Sequence, residues 1–325
     1  MTKDLKIFQE KLSERLLELD LEKEPKELYE PIHYTLSLGG KRMRPILAFM
    51  GYLCSKEDWE KIIDPALAIE LFHNFTLIHD DIMDEAPLRR GEPTVYKKWN
   101  KDIAILSGDV LMVMAYDLLM RADYSDFKYL LRLFNQCAIE VCEGQQLDMN
   151  FEEKASVSEA DYIEMIRLKT AVLLGFSLEL GGLLGGMTKE ESQHLRDFGV
   201  NIGIGFQLKD DLLDVYGDAQ KFGKQVGGDI IANKKTLLLI KAIELAEGKQ
   251  KLDLHNLLAD KDIDPVKKVR EMKAIYADLN IEAIAEKAMN DHFEKGFDQL
   301  NDLEKREYNL QPLREFTEAL IARDH

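Results

Sequence analysis

The sequence has 325 residues, 46% hydrophobic and 32% charged, which supplies a large core and excludes wholesale disorder. Acidic residues number 60 against 43 basic ones, a formal net charge of −17, so the chain has no global attraction for nucleic-acid phosphates or anionic lipid. Three scattered cysteines, Cys54, Cys137 and Cys142, exclude a disulfide framework and a thiolate zinc site, and they suit a reducing compartment such as the cytoplasm.

In chain order, Met1-Thr2-Lys3-Asp4 runs into a charged amphipathic segment rather than an apolar signal core. Gly39-Gly40-Lys41-Arg42-Met43-Arg44-Pro45 predicts a loop at the glycine pair, with Lys41 and Arg44 on neighbouring helical positions behind it. Asp64-Pro65 offers an N-cap oxygen and a first-turn proline to a helix over residues 66–84, and a loop follows over 86–93. No proline lies between Pro93 and Pro265, and apolar residues there recur at helical spacing: Leu111, Ala115, Leu118 and Leu119, then Leu130, Leu133, Phe134, Cys137 and Val141. Gly144-Gln145-Gln146-Leu147-Asp148 puts Gln145 and Asp148 on one helical face; read alone, it is an ordinary helix C-terminus. Ser158 and Asp161 have capping-box spacing ahead of a helix over 162–184. The weakly charged stretch 170–187 carries Glu179 and paired glycines, the pattern of a buried helix rather than a membrane span. Another loop covers 217–233, and strand signals are absent. The sequence predicts one all-α domain over residues 1–325, with no transmembrane segment.

Two stretches concentrate the chemistry. Asp80-Asp81-Ile82-Met83-Asp84 and Asp210-Asp211-Leu212-Leu213-Asp214 share the pattern Asp-Asp-x-x-Asp, and each closes an apolar helical run. Residues four apart share a helical face, about 6 Å apart along the axis. Asp80 with Asp84, and Asp210 with Asp214, therefore form like-charged pairs that call for a cation between them. Carboxylates without His or Cys suit hard cations, and Mg²⁺ is commonly held by one or two carboxylates plus substrate phosphates. His73, Thr76, Asp80 and Asp84 continue one stripe; Gly203, Gln207, Asp210 and Asp214 continue the other. A polar stripe on an apolar helix predicts a buried helix facing a wet pocket. Cations cluster at Lys41 and Arg44, at Arg89-Arg90-Gly91, and at Lys169, Lys224 and Lys234-Lys235. Arg grips phosphate through its planar fork and Lys as a point charge, so the combined set suits diphosphates.

In this order the motifs resemble those of the trans-isoprenyl diphosphate synthases, the polyprenyl synthetase family. The likeness runs from about Gly39 to Thr236: Gly-Gly-Lys-Arg-x-Arg-Pro, His-Asp-Asp-Ile-Met-Asp with Arg-Arg-Gly beyond, Gly-Gln-x-x-Asp, Lys-Thr, Phe-Gln-x-x-Asp-Asp-x-x-Asp, and Gly-Lys followed by Asp229 and Lys234. The resemblance implies a single large helical bundle around a deep central cavity, the isoprenoid synthase fold, whose active unit is usually a homodimer. It implies that Asp80 and Asp84 bind two Mg²⁺ ions and Asp210 a third, with Asp214 in support. By the same resemblance Arg89, Lys169, Lys224 and Lys234 hold an allylic diphosphate, and Lys41, Arg44, His73 and Arg90 hold isopentenyl diphosphate. Thr170 and Gln207 present oxygens to the developing allylic cation. No protein base is evident, since His73 and His79 form no catalytic pair; in the family the departing pyrophosphate takes the proton.

This sequence departs from the family at two places. Asn233 stands where glycine often precedes the lysine, and residues 321–325 lack the basic tail of some farnesyl diphosphate synthases. The intact second aspartate motif and the Lys41 and Arg44 pattern argue against a terpene cyclase, and that pattern also argues against a head-to-head synthase. Retention of both acidic motifs argues against a non-catalytic partner subunit. The family's product length depends on the residues four and five before the first Asp, here Thr76 and Phe75. One small and one aromatic residue, with no insertion between Asp81 and Asp84, imply a twenty-carbon product, with farnesyl or a longer prenyl diphosphate as the alternatives.

Overall fold

The computed structural model describes residues 3–217, 227–260, 262–304 and 306–322; Lys224 and the C-terminal residues 323–325 lie outside them. Helices α1 (Lys3–Leu17), α2 (Lys26–Ser37), α3 (Met43–Leu53), α4 (Ile63–Met83), α5 (Val95–Lys98) and α6 (Lys101–Leu119) lead into the long α7 (Phe127–Glu153). Helix α8 (Glu159–Ile166) passes through a π-helical turn, Arg167–Ala171, into α9 (Val172–Gly185), and α10 (Lys189–Tyr216) follows. Beyond it come α11 (Gly228–Ile231), α12 (Leu237–Leu245), α13 (Gly248–Ala259), α14 (Pro265–Asp278), α15 (Ile281–Leu303) and α16 (Gln311–Ile321).

The fold is all-α, as the missing strand signals predict, with one small exception among the described residues. Strands β1 (Leu88–Arg89) and β2 (Glu92–Pro93) pair antiparallel inside the stretch expected to be loop. Their turn residues, Arg90 (φ +56°) and Gly91 (φ +83°), are both left-handed, as a type I′ hairpin requires. A two-residue strand is too short for alternation to register in sequence.

Side-chain caps set a few of the helix starts among the described residues. Asn100 caps α6 by accepting from Ile103 N at 2.9 Å, and Ser158 and Asp161 form the expected capping box on α8. Helix α4 begins earlier than expected, at Ile63, after a 3₁₀ turn over Trp59–Ile62. Asp64 therefore caps nothing. Its carboxylate is taken by Arg15 Nε at 2.7 Å and Arg121 Nη1 at 3.2 Å. Among the described residues one helical stretch, Glu159–Gly185, is long and apolar enough to cross a membrane, and 78% of its most apolar window is buried inside the protein.

Contacts divide the chain into two compact units. The first comprises Met1–Phe134, Phe176–Arg196 and Arg306–Leu313. In its core Phe8 stacks on Phe49 at 4.3 Å, with Trp59 edge-on to both at 5.9 and 5.8 Å. A second aromatic group centres on Phe134, which meets Phe72, Tyr116 and Phe176 at 5.2, 5.0 and 5.7 Å. Burying each such ring stabilises by about 1.5–3 kcal/mol, which fixes the direction of α4 and with it the first aspartate motif. The second unit comprises Asn135–Gly175, Asp197–Lys305 and Arg314–His325. Its core joins Leu208, Leu212 and Val215 of α10 to Leu237 and Leu238 of α12, Met272 and Tyr276 of α14, and Ile281 of α15.

Candidate active site

In the first unit, positive φ at Gly39 (+72°), Gly40 (+140°) and Arg42 (+46°) makes the basic motif a loop where neighbouring helical positions were expected. Lys41 lies exposed in that loop and Arg44 in the first turn of α3. The Arg90 guanidinium rests against Gly40, where a Cβ would come within 2.8 Å of its Nη2. Arg44 Nη1 lies 3.0 Å from His73 Nε2. A guanidinium has only donors, so the imidazole must accept. Burial, then the cations Arg44, Arg90 and Arg89, hold the His73 pKa well below its ordinary value, which keeps that lone pair available. The structure thus brings Arg44 to His73 and Arg90 to the glycine loop.

At the end of α4 the three aspartates differ. Asp80 is half-buried and Asp84 exposed, the latter closing the helix with its N–H on Asp80 O at 2.8 Å. Asp81 is buried, and its Oδ1 accepts from Arg89 Nε at 3.0 Å and Nη2 at 2.5 Å. Burial raises the Asp81 pKa while Arg89 lowers it. Thr76 bonds back to the His73 carbonyl at 2.8 Å, and Phe75 packs against Phe72 at 5.7 Å and His79 at 4.7 Å. His79 Nε2 lies 3.2 Å from Ile105 O, so its contacts are structural.

In the second unit, Lys169 and Thr170 sit in the π-helical turn, a distortion frequently found at functional sites. Gly144 allows it: a Cβ there would fall 2.2 Å from Lys169 N. Helix α7 continues through the Gly-Gln-x-x-Asp stretch, which is therefore not a helix C-terminus, and Asp148 pairs with the candidate residue Lys169, a contact that its own sequence does not reveal. A Lys–Asp contact 21 residues apart leaves no periodic signal.

At the end of α10, Asp210 is exposed and Asp211 buried. The Tyr162 hydroxyl donates to Asp211 Oδ2, and Gln207 Nε2 donates to Oδ1 at 3.3 Å. Burial pushes the Asp211 pKa up to about 7 against the pull of Tyr162 and Gln207. Asp214 turns inward to the backbone: its Oδ2 accepts from Asp229 N at 2.9 Å and its carbonyl from Gly227 N at 2.6 Å. Lys234 Nζ lies 4.0 Å from Asp229 Oδ1. Asn233, the departure noted in the sequence, has φ +55° and donates Nδ2 to Leu258 O at 3.1 Å. That backbone explains both residues: glycine adopts it freely, and asparagine is among the few side chains that tolerate it. Lys224 lies outside the described residues.

Among the described residues no three His, Cys, Asp or Glu side chains gather to hold an ion by themselves. Outer carboxylates at the ends of α4 and α10, with oxygen donors only, fit Mg²⁺, which takes few protein ligands and completes its shell with water and phosphate.

An all-α protein with two Asp-Asp-x-x-Asp helix ends, each beside cations of its own unit, has the make-up of a prenyltransferase, and comparison with known proteins gives the same class. The sequence matches the polyprenyl synthetase family over residues 25–279. It is 39% identical to a geranylgeranyl pyrophosphate synthase of Geoglobus acetivorans, over 97% of this chain and 96% of that protein. It is 36% identical to a short chain isoprenyl diphosphate synthase of Methanothermobacter thermautotrophicus, over 99% and 98%. A crystal structure of a geranylgeranyl pyrophosphate synthase superposes with a TM-score of 0.89 at 38% identity, covering 98% of this chain and 97% of the other. Geranylfarnesyl diphosphate synthases also match, that of Aeropyrum pernix at 37% identity over 70% of this chain and 74% of its own length. The chain belongs to the polyprenyl synthetase family and is a trans-prenyltransferase.

Proposed function

We propose that this enzyme condenses isopentenyl diphosphate head-to-tail with dimethylallyl, geranyl and farnesyl diphosphates, and that geranylgeranyl diphosphate is its main product. The observation that carries the site assignment is the grading within each motif: one aspartate is buried against a partner, and Asp84 and Asp210 are left exposed. Asp80, Asp84 and Asp210, supported by Asp214, would hold Mg²⁺, three ions with substrate bound, and the metal supplies positive charge that stabilises a leaving diphosphate. Lys169 and Lys234, with Lys224 and Arg89, hold the allylic diphosphate. Lys41, Arg44, Arg90 and the neutral His73 hold isopentenyl diphosphate. Thr170 and Gln207 face the allylic cation with oxygens, and apolar surroundings keep water from quenching it. The pyrophosphate that departs accepts the proton lost from the new chain.

The enzyme works as one catalytic domain and as a homodimer in the cytoplasm. Ile105, Leu106 and Val113 of α6, with Met120 at its C-terminal cap, leave an exposed apolar face that supports pairing with a second copy. Cys54, Cys137 and Cys142 are thiols outside any disulfide, which supports a reducing compartment. Product length is tested by supplying labelled isopentenyl diphosphate with each allylic primer and sizing the chains. A twenty-carbon product is expected; Thr76→Phe should shorten it and Phe75→Ala lengthen it. A twenty-five-carbon wild-type product, the one named for the geranylfarnesyl relatives, would overturn the length assignment, and two variants that both keep the wild-type length would overturn the placing of the floor at Thr76 and Phe75.

A further inference from the structure

Helix α14 (Pro265–Asp278) grips the chain on both sides of the segment that follows the second aspartate motif. Lys273 Nζ donates to the carbonyl of Val215 at 3.0 Å, one residue beyond Asp214. Val269 packs against Gly227, where φ is +85° and a Cβ would come within 2.7 Å of Val269 Cγ2. Lys268 Nζ donates to the carbonyl of Ile231 at 3.1 Å, at the C-terminal end of α11. Positions 268, 269, 272, 273 and 276 share one helical face, which carries Met272 and Tyr276 into the core.

Lys268 is the unusual member. It is 4% exposed, and burial lowers its pKa against the opposing pull of Asp260. An ammonium in such a place is costly unless a partner compensates it, and an apolar residue would pack there with less penalty. The partner here is a backbone carbonyl at a helix end, where the partial negative charge of unsatisfied C=O groups favours a cation. The bond fixes α11, and α11 is tied directly to proposed site residues. Asp229 N donates to Asp214 Oδ2 at 2.9 Å, Gly227 N to Asp214 O at 2.6 Å, and Lys234 N to Asp229 O at 2.9 Å. Three hydrogen bonds therefore connect the Lys268 ammonium, through a four-residue turn, to the backbone of Lys234 and the carboxylate of Asp214.

We infer that Lys268 is a positioning residue for prenyl transfer: by holding the Ile231 carbonyl it sets α11, and thereby the place of Lys234 at the allylic diphosphate. It touches no substrate itself. The inference rests on the assignment of Lys234 made above, and the test separates the two.

The test uses the full chain with Mg²⁺, comparing Lys234→Ala, Lys268→Met, Lys268→Arg and the Lys234→Ala/Lys268→Met double variant. Each is measured for the KM of farnesyl diphosphate, the KM of isopentenyl diphosphate, kcat, and the urea midpoint. Lys234→Ala should raise the farnesyl diphosphate KM about 10-fold or more, the loss of one charge-assisted contact. Lys268→Met should raise the same KM several-fold and leave that of isopentenyl diphosphate unchanged. Lys268→Arg, which keeps a donor, should restore most of it, and the double variant should match Lys234→Ala alone. An unchanged allylic KM in Lys234→Ala overturns the Lys234 assignment and the inference with it. A raised KM in Lys234→Ala beside a lowered urea midpoint but unchanged KM in Lys268→Met overturns the inference alone. If Lys268→Met does not fold, half-buried Lys273→Met reads the same brace from its other end: a raised allylic KM supports it and an unchanged one overturns it.

Discussion

The ends of α4 and α10 carry the same Asp-Asp-x-x-Asp pattern and bury the middle carboxylate against opposite kinds of partner. Asp81 meets a guanidinium, so a full positive charge opposes its burial and offsets part of it. Asp211 meets a phenol and an amide, both neutral, and burial drives its pKa to about 7. The third aspartates differ as well. Asp84 is exposed at a helix end, whereas Asp214 accepts from the backbone of the next turn. One motif, repeated, thus builds two electrostatic environments, because the partners come from other segments: Arg89 from the hairpin beyond α4, Tyr162 from α8.

The largest effect should come from the outer aspartates. Asp80→Ala, Asp84→Ala and Asp210→Ala should each lower turnover by about 10³-fold, the scale of losing a group that stabilises transition-state charge, with the circular dichroism of the fold unchanged. EDTA should abolish wild-type activity and added Mg²⁺ restore it. Asp214→Ala should also lower the urea midpoint, since Asp229 N loses its acceptor, while Asp214→Asn keeps an oxygen there and should lower it less. Equal urea midpoints for Asp214→Ala and Asp214→Asn would mean that the bond from Asp229 N does not hold the turn.

The middle aspartates give the next test. Asp81→Asn removes a charged partner from Arg89 and should cost about 2–3 kcal/mol in urea unfolding at pH 7. Asp211→Asn keeps an acceptor for the Tyr162 hydroxyl and replaces a carboxyl already near its titration point, so its cost should stay below about 1 kcal/mol. Equal costs would mean that the partners' charge does not distinguish the two ends.

Acid supplies a third comparison. His73 keeps a depressed pKa in the folded state, whereas its unfolded value is about 6.5. Below that value the unfolded chain binds a proton that the native state does not. The stabilisation is therefore full above about pH 6.5 and is lost as pH falls, by up to about 1.4 kcal/mol per unit until the folded pKa is reached. His73→Gln should remove that component of the slope between pH 7.5 and 5. An unaltered slope would mean the ring is not held neutral.

The sequence made the aspartate pairs, the loop at Gly39-Gly40, the Lys-Thr step and the α8 capping box legible because each is local: a spacing within one turn or one loop. It did not reveal contacts that depend on distant partners. Asp64-Pro65 has the form of a cap, yet Arg15 and Arg121 claim the carboxylate and the helix starts ahead of it. Asp148 reads as a helix end until Lys169 lies against it. Tyr162 carries no signal at all, because a phenol that donates to a buried carboxylate resembles any core tyrosine. Lys268 is hidden in the same way, since a lysine in a helix reads as solvent-facing.

The smallest predicted effect concerns the loops after the two motifs, where the comparison narrows to a single backbone angle. Each loop carries a left-handed residue at its cation: Arg90, with φ +56°, is itself the cation, and Asn233, with φ +55°, immediately precedes Lys234. An ordinary L-residue pays about 1–2 kcal/mol to adopt this conformation, glycine nearly nothing, and asparagine less than most. Asn233→Gly should therefore lie close to wild type, relief of the remaining strain offsetting the lost bond to Leu258 O. Asn233→Ala should lower stability by about 1 kcal/mol, and Asn233→Val by more, because a β-branched residue is a true outlier at positive φ. The order Gly with Asn, then Ala, then Val is what thermal unfolding should read, with the allylic KM rising in the same order as Lys234 is displaced. A Val variant as stable as wild type would mean that the turn re-forms without the left-handed angle, and the glycine common at this position would then need another cause.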